Sequence, residues 1–147
     1  MIQQETKKIN KFCVGLAFLF CVGLVLLLPK ITEAVSVTGN LISSIFDTGV
    51  SSGVAINTIM WQGNKPSGTN VKFQIASSNN SSGPWSYLGP DGSDTTYYTP
   101  TDANMPVQIN LAHHNNKRYF RYKIFLESNA SQTESPRVDD VIINWSP

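Results

Sequence analysis

Alternation of apolar and polar residues dominates the chain from about residue 35 onward. In Val71-Lys72-Phe73-Gln74-Ile75 the apolar residues Val71, Phe73 and Ile75 fall on one side of an extended backbone. Tyr119 to Leu126 repeats the pattern, with Phe120, Tyr122, Ile124 and Leu126 facing one way and Tyr119, Arg121, Lys123 and Phe125 the other. Val138 to Trp145 places Val141, Ile143 and Trp145 together. Leu41 to Phe46, Val54 to Trp61, Trp85 to Leu88 and Val107 to Leu111 complete a set of about seven or eight predicted strands. No window sustains a helical period of 3.6 residues.

Turn-forming runs separate these segments. They are Gly63-Asn64-Lys65-Pro66-Ser67-Gly68, Ser77 to Pro84, Gly89-Pro90-Asp91-Gly92 and Ser128 to Pro136. Their residues tolerate positive φ or fix φ for a turn. Many short strands with no helix to cover a sheet predict an all-β fold, an antiparallel two-sheet β-sandwich. An immunoglobulin domain would carry a cysteine pair that residues 35–147 lack, and a jelly-roll arrangement fits the pattern as well.

The chain begins differently. Lys7, Lys8 and Lys11 precede seventeen uncharged, mostly apolar residues from Phe12 to Leu28, followed by Pro29 and Lys30. Thr32-Glu33-Ala34 places small residues at the −3 and −1 positions before Val35. This is the layout of a secretory signal peptide, with an uncleaved hydrophobic anchor helix as the alternative. Residues 1–34 thus read as a signal peptide or membrane anchor, and residues 35–147 as an exported domain. A lipoprotein reading fails at Cys21, which follows Phe20. A prepilin resembles this layout more closely, but Lys11 stands where that leader ends in Gly and Leu16 where its Glu belongs, which leaves the pilin reading as a loose analogy. Both cysteines, Cys13 and Cys21, lie in the apolar run, so residues 35–147 have no disulfide, thiol nucleophile or cysteine metal site.

Four strings carry a resemblance. They are Ser44-Ile45-Phe46-Asp47-Thr48-Gly49, Pro66 to Gln74, Arg118-Tyr119-Phe120-Arg121-Tyr122-Lys123, and Ser135-Pro136-Arg137-Val138-Asp139-Asp140-Val141. Together they resemble the galactose-binding-like (discoidin-like) jelly rolls found in exported bacterial modules, including envelope and pilus-associated proteins. The resemblance implies that first and last strands lie together and that loops at one end bind sugars or other surface ligands.

Charge narrows the partners. Charged residues are 14% of the chain and its net charge is +1. Residues 35–147 hold seven Lys or Arg against eight Asp or Glu, a net of −1. Nucleic acid is excluded as a partner on this balance. The basic residues Lys117, Arg118, Arg121 and Lys123 read as a solvated sheet face, with Arg121 and Lys123 sharing one side that could meet an acidic surface or polymer.

Candidate chemistry is sparse. Phe46-Asp47-Thr48-Gly49 has the Asp-Thr-Gly of aspartic proteases, which pair two such aspartates to activate water. Val50 stands where a small residue is needed, and Val141 to Trp145 lacks the partner strand's Gly. Asp47 therefore reads as a turn residue. His113 and His114 point to opposite faces if extended and precede Asn115-Asn116, which predicts a surface loop. Asp91 and Asp94, with Asp102, lie in the polar stretch Gly89 to Met105 and are the candidate calcium ligands, the sole cofactor considered. Trp85, Tyr87, Tyr97 and Tyr98 flank that stretch and are the candidate ligand-binding residues, with the aromatic residues Tyr119 and Phe125 on the polar side of their strand.

The function expected is non-enzymatic: ligand recognition, of a glycan for example, or adhesion at the cell envelope or outside it. The alternative is a structural subunit or accessory of a pilus-like surface filament. An aspartic hydrolase, resting on Asp47 alone, comes third. Expected partners are a cell-surface glycan or envelope protein, further copies of the chain, and the membrane where the N-terminal helix is retained.

Overall fold

The computed structural model describes residues 34–147. The apolar run Phe12 to Leu28, its cysteines, and the signal-peptide or anchor expectation lie outside the described residues. Seven strands form: β1 (Thr38–Ile42), β2 (Phe46–Asp47), β3 (Ala55–Asn64), β4 (Asn70–Ser78), β5 (Val107–Gln108), β6 (Tyr119–Glu127) and β7 (Arg137–Ser146). They make two antiparallel sheets, as the alternation predicts. In the first, β6 is central, with β4 on one side and both β1 and β2 on the other. In the second, β3 lies between β5 and β7. Among the described residues no helix is long and apolar enough to cross a membrane.

The core follows the alternation. Val71, Phe73 and Ile75 of β4 and Phe120 and Ile124 of β6 are buried against Ile56, Ile59 and Trp61 of β3. Ile56 and Ile59 are three apart, which in a regular strand puts them on opposite faces. A register shift between Ile56 and Thr58 against β7 turns both inward, so the bulge is what lets β3 supply a continuous apolar face.

Three expected strands differ. Leu41 to Phe46 divides into β1 and β2, because three residues (43–45) lie opposite only two of β6 between the pairs Ile42↔Lys123 and Phe46↔Phe120. Ser43 carries the bend: its hydroxyl accepts from the Tyr122 N–H at 3.0 Å and its carbonyl accepts the Arg121 guanidinium. Trp85 to Leu88 is no strand and touches β4 through the single bridge Ile75↔Leu88. Val107 to Leu111 pairs only over β5, after which the Ile109 N–H turns to the Asn57 carbonyl at 2.8 Å.

Two features position function. The segment 84–98 pairs with the free edge of β4 at Ile75↔Leu88 and Phe73↔Tyr98, and its loop reaches over the outer face to the Gln74 side chain, where Gln74 and Ala76 are buried. On the opposite side the sandwich is open. β1 and β7 belong to different sheets rather than pairing, and face each other across a groove lined by Leu41, Val138 and Val141. Val35, Val37, Leu41, Ile42, Ile45 and Phe46 are exposed along that side.

Candidate functional site

The covering segment leaves a cleft of about 680 Å³ on the outer face of the first sheet. Its floor is Gln74 of β4 with Lys123 and Phe125 of β6, residues that strand alternation sends outward. Trp85, Tyr87 and Tyr97 stand around it, and Asp94 and Ser93 come from the loop. Tyr97 meets Phe125 edge to face, with centroids 4.9 Å apart. Cations rest on the rings: Lys123 over Phe125 at 4.9 Å, Arg121 over Trp85 at 5.8 Å and Lys72 over Tyr97 at 5.8 Å. Each such pairing restrains both side chains.

The loop is held by its own polar groups. Gln74 Nε2 donates to the carbonyls of Asp94 (2.7 Å) and Thr96 (3.0 Å). The Asp91 carboxylate accepts the Thr96 hydroxyl and the Ser93 N–H. Those bonds, the Thr96 one foremost, lower its pKa to about 2. Asn110 Nδ2 donates to the Pro90 carbonyl at 2.7 Å, and the His113 ring packs against Gly92. A polar loop so bonded enters a binding event already ordered, which spares entropy.

Of the aromatics singled out in the sequence, Trp85, Tyr87 and Tyr97 come together at the cleft. Tyr98 does not: it is 2% exposed, belongs to the core, and accepts the Asn110 N–H on its hydroxyl at 3.2 Å. Burial raises its phenol pKa. Adjacent strand-like residues face opposite ways, so only one of the Tyr97–Tyr98 pair could line the cleft. Asp94 offers the cleft a carboxylate with no hydrogen bond among the described residues, whereas Asp91 is engaged within the loop. No three His, Cys, Asp or Glu groups gather as a metal set among the described residues.

Two further readings are corrected. His114 is not a surface-loop residue: it is 1% exposed, its Nδ1 lies 3.2 Å from Ser77 Oγ and its Nε2 has no partner. The basic residues do not form a uniformly solvated face. Arg118 pairs with Asp47 (2.8 and 2.9 Å), Arg121 donates twice to the Ser43 carbonyl, and Lys123 enters the cleft. Asp47 also accepts the Gly49 N–H at 2.9 Å, and Arg118 first, then Gly49, hold its carboxyl below its ordinary pKa. These bonds close the turn after β2.

Phe125 was among the outward aromatics of the sequence and Lys123 among its basic residues, but neither was joined to the loop residues, and Gln74 was not singled out. Nothing in the sequence marked Gln74, which sits with Lys72 on the polar side of an alternating strand, where an amide is ordinary. Comparison with protein-family models, curated proteins and solved structures finds no match to this chain.

Proposed function

We propose that residues 35–147 form an exported, non-enzymatic binding module that takes a saccharide in the cleft between Trp85 and Tyr97. The observation that carries this reading is the joining of Trp85, Tyr97 and Phe125 with Gln74, Asp94 and Lys123 in one pre-ordered cleft. A sugar presents apolar C–H faces and a rim of hydroxyls. Aromatic rings match the first, and a few placed polar groups match the second. Export to the envelope or beyond rests on Lys7, Lys8 and Lys11 ahead of the apolar run. A jelly-roll of the galactose-binding-like kind is part of the reading, supported by the wrapping of the chain. From β2 onward every connection crosses to the opposite sheet.

A glycan array tests the reading. The protein binds at least one glycan, and Trp85→Ala and Tyr97→Ala each weaken that binding by about tenfold or more, as expected when an aromatic anchor is cut back. Circular dichroism of the variants stays that of the parent. A parent protein that binds no glycan on the array overturns the proposal.

A second reading, assembly with further copies as a filament subunit or accessory, is favoured by one observation. Residues 34–46 carry no charge, expose six large apolar side chains and end in strands whose outer edge pairs with nothing among the described residues. Natural edge strands are guarded by Lys, Pro or bulges against such pairing. Leu41→Lys is then expected to convert associated protein to monomer in sedimentation velocity. A parent that stays monomeric at its highest soluble concentration removes this reading.

A further inference from the structure

The cleft has an uneven charge balance. Lys72, Arg118 and Arg137 are held in ion pairs with Glu127, Asp47 and Asp139. Arg121 donates only to a neutral carbonyl, that of Ser43. Lys123 has neither an ion pair nor a side-chain hydrogen bond among the described residues. These last two residues are i and i+2 on the same strand, so both charges project from the outer face of β6 beside Trp85 and Phe125. Against them stands one carboxylate, that of Asp94. A domain that is net negative thus places Lys123 in this cleft, and Arg121 against its Trp85 wall, with no ion pair to either among the described residues.

From this we propose that the cleft selects an acidic saccharide, one carrying a carboxylate or a sulfate ester, with Lys123 as the residue that pairs the anion. The inference rests on the saccharide reading and adds the ligand's charge to it. The ammonium of Lys123 lies over the Phe125 ring, a partly dewatered place where a charge-assisted hydrogen bond is worth more than in open water. Trp85 is left to stack on the sugar ring, steadied from behind by Arg121. Asp94 sets the upper limit on charge. It accepts hydrogen bonds from hydroxyls and repels a second nearby anion, so sparsely charged chains are taken over dense polyanions.

An array that sets uronate-bearing and sulfated glycans beside neutral ones of matched backbone reads this directly. Acidic glycans are expected to bind about tenfold more tightly than their neutral counterparts, the scale of one charge-assisted bond. Lys123→Gln erases that preference, Lys123→Arg retains it, and Trp85→Ala weakens acidic and neutral ligands alike. The two acidic arms show which anion is recognised. Equal binding of acidic and neutral glycans, with Lys123→Gln without effect, overturns the inference and leaves the saccharide reading standing. Binding of no glycan at all removes both.

Discussion

Lowering the pH from about 7 to about 4 is expected to cost the domain about 3 kcal/mol of stability through one side chain, His114. Burial, and secondarily the neighbouring His113, lowers its pKa from 6.5 to about 4. In the unfolded chain the imidazole protonates as pH falls through 6.5. In the folded domain it stays neutral until about 4. Over that window the unfolded state binds more protons, so stability rises with pH: it is complete above the window and lost on descending through it. Below about 4 this group contributes no further change. The carboxylates take over there, since Asp91, Asp47 and Glu127 all have lowered pKa values whose stabilisation disappears as they protonate. Urea-unfolding midpoints across this pH range measure the effect. His114→Gln keeps a polar partner near Ser77 without a titrating ring, and its profile is expected to be flat from 6.5 down to the carboxylate range, where Glu127 begins to protonate. A variant with the parent's acid slope would show that the proton goes elsewhere.

His114 also marks where sequence reasoning stops. The strands that obey period two were legible: Phe120, Tyr122, Ile124 and Leu126 do face inward, as do Val71, Phe73 and Ile75. β3 was found although its bulge was not, because Val54, Ile56, Ile59 and Trp61 keep the segment apolar whichever way each points. What was not legible depends on partners far away in the chain. Tyr97 and Tyr98 are chemically alike; the paired N–H and carbonyl of Tyr98 with Phe73 decide which ring goes inward. The ring of His114 is buried because Ser77, thirty-seven residues earlier, and Tyr98 close over it. Lys123 was correctly placed on the outer face of its strand, and it becomes a cleft residue only once Gln74 draws Asp94 and Thr96 across the sheet. Local pattern fixes which way a side chain points. What covers that face is set by the loop.

The other large effect belongs to a residue with no side chain. Gly53→Ala is expected to destabilise the domain by about 3–5 kcal/mol, within reach of the whole stability of a domain this size. Two costs combine. Gly53 has φ 83°, the left-handed region that L side chains rarely adopt, and this alone costs about 1–2 kcal/mol. An added Cβ would also fall 2.2 Å from the backbone carbon of Asn116 and 2.5 Å from the amide nitrogen of Lys117. Backbone cannot rotate aside as a side chain can, so the 114–117 turn must move. That turn is tied to the start of β3 by the Val54↔Lys117 bridge, and it carries His114 into the core. Two other glycines separate the contributions. Gly49 shares the positive φ, at 73°, and has open space around its Cβ position, so Gly49→Ala should show the backbone cost alone. Gly39 has neither constraint, and Gly39→Ala should fall within about 0.5 kcal/mol of the parent. Urea titration of the three variants is expected to rank them Gly39, Gly49, Gly53 in rising cost. Finding Gly53→Ala no worse than Gly49→Ala would mean the 114–117 turn yields freely, and would remove the rigid seat that holds His114 in place.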